Sequence, residues 1–378
     1  MLPVAIAGGG PVGLSLALML HHAGIACEVL DARPAGAAGD DRRVLALSHG
    51  SRQILERIGA RMPVGATPIT AIHVSQQGRF GRTLIRAEES GVPALGYVAT
   101  AGSVATALAQ ACADAGVALR HETQVLGSKA GKDVIRLHCV SRQAGEDVSA
   151  QLVAWADGAI AAGRGVVRRD YGQRAIVASV QTREAPAGMA YERFTAGGPV
   201  ALLPQGDCHG LVWTVPDGEA AALSALDDGA FLARLSAVFG GRLDFVAADA
   251  RVAFPLGLRY RETPVAARAV WLGNAAQTLH PVAGQGFNLA LRDASQLARL
   301  LQEGAADCGT AELLARHAAA RRLDRRGAIG ATDALVRLFG LRDPVSAHAR
   351  GAALLALDLL PTARRFFARR MIFGARGG

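Results

Sequence analysis

One stretch near the start constrains this chain more than any other. Residues 3–34 read PVAIAGGGPVGLSLALMLHHAGIACEVLDARP. Val4–Ala7 has the run of apolar residues expected of a short buried strand. Gly8, Gly10 and Gly13 then complete G-x-G-x-x-G, with Pro11 and Val12 in the turn. Leu14–His22 is built of good helix formers and is ended by Gly24. Ile25–Leu30 reads as a second strand closed by Asp31. A βαβ unit with this spacing places a helix N-terminus against a pyrophosphate. Gly8 gives the tight turn, Gly10 lets backbone approach the phosphate, and Gly13 lets helix and strand pack closely. Asp31 stands where an acid hydrogen-bonds the ribose hydroxyls. The pattern predicts dinucleotide binding and does not by itself separate FAD from NAD.

Length and composition bound the rest. A chain of 378 residues suits two interleaved or sequential domains, and 51% hydrophobic residues with 19% charged give material for a large core. The net charge of +9 fits nucleic acid, anionic lipid or simple arginine usage. Aromatics are only 5% and no basic run interleaves with them, so nucleic acid is not expected. Cys27, Cys112, Cys139, Cys208 and Cys308 are scattered without a C-x-x-C pair. That argues against a metal site or a disulfide framework and fits a reducing compartment. No leader of the secretory kind and no apolar run of about 20 residues is evident. A soluble or peripheral, cytoplasmic protein is the expectation.

The middle of the chain carries weaker signals. Arg42 and Arg43 precede an amphipathic helix over Ser51–Ile58; the pair either reaches a cofactor or is simply solvated. Ser103–Ala115 reads as a helix leading to a strand at Ala118–His121, and a meander follows. Gln151–Ala156 is a strand ending in Asp157-Gly158, which is either a cofactor contact or an ordinary turn. From about Gln173 to Val215 the texture becomes that of a sheet. Tyr191, Phe194, Leu203, Pro204 and Trp213 are candidates for a pocket wall or for plain core. RVAFPLGLRY reads as a further strand pair.

Late in the chain the residues LGNAAQTLHPVAGQGFNLALRDA follow a buried strand, Ala269–Leu272. A polar, glycine-rich loop leads into a helix from Phe287, whose apolar residues recur at the spacing of one buried face. A second helix N-terminus with unpaired amides is thereby predicted at the site, and it favours negative charge. His280 is the one titratable candidate in this loop. It is either a base or a group that satisfies loop backbone.

These three stations in order resemble the FAD-dependent aromatic hydroxylases of the para-hydroxybenzoate hydroxylase class. They are the glycine motif with Asp31, Asp157-Gly158 with Arg164, and Gly273-Asn274 with Pro281 and Gly284-Gln285-Gly286-Phe287-Asn288. The form of the third station, YGQRAIVASV, and the segment RRLDRRGAIGATDALVRLF are similar to the ubiquinone-biosynthesis branch, and within it to the 2-polyprenyl-6-methoxyphenol hydroxylases. Asn274 and Ala161 stand where that class usually has an acid and a serine. The helix near Gly102 lacks an arginine common among relatives.

The resemblance implies an α/β protein. Residues 1–170 and 261–340 would form a Rossmann-like FAD-binding domain, 171–260 an inserted substrate sheet, and 341–378 a helical tail. It implies FAD contacts along the three stations and at Arg43 and Val125. It implies NADH or NADPH and O2 as co-substrates, and hydroxylation of a polyprenyl phenol para to its hydroxyl. A sibling hydroxylase acting at another ring position, or a flavin-binding subunit without turnover, is the alternative. Such a substrate suggests a ubiquinone-biosynthesis complex or contact with the inner membrane. The tail ALLALDLLPTARRFFARRMIF joins apolar residues with Arg364, Arg365, Arg369 and Arg370. It would lie on an anionic bilayer, or dock on the domain or a partner.

Overall fold

Strand Leu2–Ala7 runs through the middle of a mainly parallel sheet, and its residues Val4 to Ala7 are almost wholly buried. A continuous apolar run suits a strand covered on both faces. The strand pairs in parallel with Cys27–Leu30 on one side and with Ala144–Trp155 on the other. Strand Ala118–Arg120 extends the sheet beyond Cys27–Leu30, and Ala269–Trp271 extends it beyond Ala144–Trp155. An antiparallel meander, Thr123–Ala130 and Ile135–Ser141, is laid against Ala144–Trp155. The coordinates are a computed structural model and describe residues 1–141, 144–304, 306–340 and 343–375.

The helices, in chain order, are α1 (Pro11–His22), α2 (His49–Arg57), α3 (Ala101–Asp114), α4 (Asp217–Ser224), α5 (Asp228–Phe239), α6 (Gln285–Gln302), α7 (Ala311–Gly340), α8 (Pro344–Leu359) and α9 (Pro361–Phe373). α1 begins directly after the glycine turn, three residues earlier than its apolar run suggests, because Pro11 suits the first helical position. It is buried against the parallel sheet, α3 and α6 through Leu14, Leu16, Leu18 and Leu20. Close packing explains Gly13, where an added Cβ would lie 1.9 Å from the Gly8 carbonyl oxygen. The Cys27 and Cys112 thiols flank this helix and reach the Ala17 and Leu14 carbonyls at 3.7 and 3.6 Å. All five cysteines are free.

Among the described residues the second sheet has nine strands, and it departs from two expectations. It is wider than an insertion over 171–260, because Ala71–Gln76 and Arg82–Arg86 complete one edge and Gln277–Thr278 the other. Met189–Thr195 joins Ala71–Gln76 in parallel, a long-range pairing that no local pattern announces. The expected strand pair RVAFPLGLRY is one strand, Val252–Arg261. It pairs with Val166–Thr182, and an irregularity between Asp170 and Gln173 absorbs the mismatch. Helices α4 and α5 cover one face of this sheet, where Trp213, Phe231, Leu235 and Phe239 are buried together. A small third sheet holds Val44–Ser48, Gly96–Thr100 and Thr67–Ile69.

Five charged side chains are buried where α6 meets α7. Arg321 donates to Asp293 and Asp324 at 2.5 Å each, and Arg292 donates to Asp324 at 2.8 Å. Gln277 links Asp293 to Arg325, which also reaches the Arg261 carbonyl. Removing one partner of such a network strands a buried charge. Arg321→Met is expected to cost about 3 kcal/mol, read as a lower urea midpoint with an unchanged slope. An unmoved midpoint would show that the network adds nothing to stability.

Candidate active site

Both of the helices that follow glycine turns end at one cavity of about 1080 Å³. The N-caps of α1 and α6 are Gly10 and Gly284, and neither supplies a side-chain cap. Each helix start thus presents its first turn, and the positive end of its dipole, to the cavity. Gly284 has φ +57°, and an added Cβ would press on Ala46 at 3.1 Å. Gly10 differs, since a Cβ there would meet nothing within 4 Å. Its freedom serves the cavity and not the packing of the protein.

The strand ends supply the rest of this polar half. Gly8, Pro11, Val12, Asp31, Arg43, Val125, Asp157 and Gly158 line the cavity, as do Gly273, Asn274, Pro281, Gln285, Gly286 and Phe287. Gly13 lies beneath them and serves packing. Asp31 closes its strand and binds Arg33 through both oxygens, at 3.1 and 2.8 Å. Arg43 is paired with Asp41. Burial raises the pKa of Asp157 above the usual carboxylate range. Gly102 has no room for a side chain, because a Cβ would lie 2.0 Å from the Gly39 carbonyl. Residues 39–43 cross the start of α3 there, and Asp41 and Arg43 carbonyls accept from Gly102 and Ala101 amides.

The other half of the cavity is apolar. Its roof is the second sheet, through Ile72, Val74, Ile85, Phe194 and Leu203. Its far wall is made by Leu338, Phe339, Leu354, Leu357 and Met371 of α7, α8 and α9. Phe339 stacks on Phe194 with ring centres 3.4 Å apart. A polar, amide-rich cradle joined to an apolar chamber fits a dinucleotide beside an apolar substrate.

A model of the FAD binding domain family matches residues 1–329. The chain belongs to this family. Ubiquinone hydroxylase UbiL of Rhodospirillum rubrum is 33% identical over 97% of this chain and 88% of its own length. The 3-demethoxyubiquinol 3-hydroxylase of Escherichia coli is 33% identical over 79% of each chain. Among solved structures, p-nitrophenol 4-monooxygenase PnpA from Pseudomonas putida superposes with a TM-score of 0.78 at 18% identity, covering 99% of this chain and 98% of its own. CabE, an aromatic hydroxylase from angucycline biosynthesis, gives 0.72 at 20%, covering 99% and 76%. The protein thus belongs with FAD-dependent hydroxylases.

Several positions in this hydroxylase do other work than their sequence context suggests. Asn288 is the first correction. Its Oδ1 accepts from the Ser48 amide and the Ser51 hydroxyl at 2.8 and 2.7 Å, and its Nδ2 donates to the Ala46 and Gly284 carbonyls at 2.9 and 2.8 Å. All four hydrogen-bonding capacities of the amide are used, so the side chain clamps α6 to residues 46–51 and has none left for FAD. Pro204 and Trp213 are the second. They alternate with Leu203 and Val212 and face away from the cavity; Trp213 is packed against Phe231. Tyr191 touches the cavity but packs chiefly on His209 and Phe239.

His280 is the third correction. Its Nδ1 accepts from the Val282 amide at 3.2 Å, so in the neutral ring the proton sits on Nε2. Burial pushes its pKa down to about 4. Nε2 is buried without a partner and offers a donor at the cavity wall. A base needs a lone pair there, which this tautomer lacks.

The glycines make opposite predictions. Gly10→Val is expected to leave the apoprotein's melting temperature within about 2 °C of wild type. It should weaken FAD by about 100-fold or more, read by flavin retained after gel filtration and by flavin fluorescence. Full flavin occupancy in Gly10→Val would remove the pyrophosphate from this turn.

Proposed function

We propose that this hydroxylase acts in ubiquinone biosynthesis on a polyprenyl phenol, converting 2-polyprenyl-6-methoxyphenol to the 1,4-benzoquinol. One observation carries the substrate class: the cofactor cradle opens into an apolar chamber with room and lining for a prenylated ring. The names of the relatives supply the pathway. The bound flavin, once reduced, supplies activated oxygen for transfer to an electron-rich ring. The residues of this chain bind, orient and keep water away. The amides of α1 would take the pyrophosphate, and Asp31 would take ribose hydroxyls. The start of α6, with its dipole, would favour the negative charge that a flavin gains on reduction. Phe194, Leu203, Phe339 and Leu354 keep the ring in a dry chamber, where activated oxygen is protected from water.

A second reading has a specific observation behind it. The E. coli relative is named for hydroxylation at the 3 position of a demethoxyubiquinol, so a sibling site on the same ring is the competing assignment. Deleting the gene in its host and identifying the accumulated quinone precursor by mass spectrometry separates them. Accumulation of 2-polyprenyl-6-methoxyphenol, with ubiquinone lost under aeration, is the expected result. A demethoxyquinone would move the assignment to the sibling position, and unchanged ubiquinone would remove the protein from the pathway.

Membrane contact through the C-terminal helices is part of the proposal. α9 is anchored on the body of the protein by Ala368 and Ile372 and by Arg364, which grips Glu89 with both arms of its fork. It displays Arg365, Phe366, Arg369 and Arg370 outward, beside the exposed Leu359 and Leu360. A basic face with apolar residues suits an anionic bilayer surface. No described helix is long and apolar enough to cross one. Replacing Arg365, Arg369 and Arg370 by Gln should reduce co-sedimentation with phosphatidylglycerol vesicles by about tenfold and leave binding to neutral vesicles unchanged. Equal binding by the triple variant would place the contact elsewhere.

A further inference from the structure

The sheet that roofs the chamber presents one carboxyl group to it. Along its strands the cavity face carries Ile72 and Val74, Ala190 and Phe194, Ala201 and Leu203, and Val212. The polar exceptions are Thr83, Thr278, Tyr191 and Glu192; Tyr191 packs on His209 and Phe239, and Glu192 alone carries a carboxyl. Its cross-strand neighbours are Ala201 on one side and Val74 on the other, so no partner is offered from within the sheet. Glu192 Oε1 is buried and has no hydrogen-bond partner. No ion pair reaches Glu192 among the described residues.

The charged groups elsewhere on the cavity wall are occupied. Arg350 enters from α8, where it donates to the Leu338 carbonyl and lies over the Phe339 ring. Arg33 and Arg43 are paired with Asp31 and Asp41 at the dinucleotide end. Asp157 also lies at that end, and His280 is held neutral in the flavin loop. Desolvation alone acts on Glu192 and pushes its carboxyl up to about 7. A carboxyl left unpaired in an apolar wall destabilises the folded chain, and such exceptions mark functional positions.

We propose that Glu192 accepts the proton of the substrate's phenol hydroxyl. The proposal rests on the reading of the substrate as a phenol. The phenol O–H bond breaks, the proton bonds to a Glu192 carboxylate oxygen, and the electron pair stays on the ring oxygen as phenolate. The ring gains electron density para to that oxygen, where oxygen transfer is to occur. The neutral quinol again carries a proton on that oxygen, so the carboxylic acid gives its proton back as the hydroxylated ring regains aromaticity, and the carboxylate is restored for the next cycle. Both forms of Glu192 are present near neutral pH, which suits a group that must take up and release a proton in each cycle.

Stability carries an independent signature of this arrangement. A carboxyl whose pKa is raised in the folded state is penalised when charged. The penalty is absent below the carboxyl's ordinary value of 4.5, grows as pH rises, and is complete above about 7. Glu192→Gln therefore melts higher than wild type at alkaline pH, and the gain fades as pH falls toward 4.5. A residue kept for structure would give the opposite sign.

The experiment uses FAD-loaded full-length protein as wild type, Glu192→Gln and Glu192→Asp. The probes are a 2-geranyl-6-methoxyphenol and its methyl ether. Wild type is expected to bind the phenol about tenfold more tightly than the ether at alkaline pH, and Glu192→Gln to lose most of that preference. NADH-dependent hydroxylation by Glu192→Gln should fall about 100-fold and lose the inflection near neutral pH, while Glu192→Asp keeps the inflection at reduced rate. Wild-type turnover and pH profile in Glu192→Gln would overturn the assignment. If wild type hydroxylates no phenol, the substrate reading fails. The binding preference and the melting shift then decide Glu192 separately, and loss of both would overturn it.

Discussion

The buried charge network between α6 and α7 is the constraint on which the rest depends. Asp293 and Asp324 hold the largely buried Arg292 and Arg321, and Gln277, in the strand before the flavin loop, links Asp293 to Arg325. Asp324 also accepts the amide of Ala375, so the end of α9 is tied to the same centre. Hydrophobic packing alone would allow α7 to slide along α6. Charged groups that need named partners permit one register. That register puts Leu338 and Phe339 at the cavity wall and lets α8 and α9 close it.

Division of labour in the cavity follows from two different uses of backbone. At one end, helix starts without side-chain caps leave amides unpaired for an anionic ligand. At the other, strands present alternate residues, and a sheet covered by α4 and α5 on its outer face can be apolar on both. The clamp made by Asn288 joins the two ends, because it fixes the start of α6 against residues 46–51. An asparagine in a glycine-rich loop can act as ligand or as strut. Here every donor and acceptor of its amide is spent inside the protein.

Much of the dinucleotide half was legible because its signals are local. Gly8, Gly10 and Gly13 act within a few residues of one another, and Asp31 ends a strand that begins close by. The apolar half was less so. Pairing of Met189–Thr195 with Ala71–Gln76 joins segments far apart in sequence, and neither carries a mark of the other. Trp213 and Pro204 were candidates for the pocket because strands apolar on both faces do not reveal which face points inward. Glu192 was missed for a related reason. In a strand read alone, a glutamate suggests solvent, and only the neighbouring strands show that it faces a chamber. The arginines and apolar residues of α8 and α9 can be read from the tail itself, but that their inner face forms a cavity wall depends on α7.

The thiols beside α1 bear on how this protein lives with its own chemistry. Reduced flavin and oxygen together yield hydrogen peroxide whenever transfer to the ring fails. The thiolate, and not the thiol, attacks peroxide. Burial pushes Cys27 up to about 11 and Cys112 up to about 12, and both thiols stay protonated beside the dinucleotide cradle. Low polarity around α1, which packs the helix against the sheet, therefore also disfavours the thiolate on which oxidation by peroxide depends.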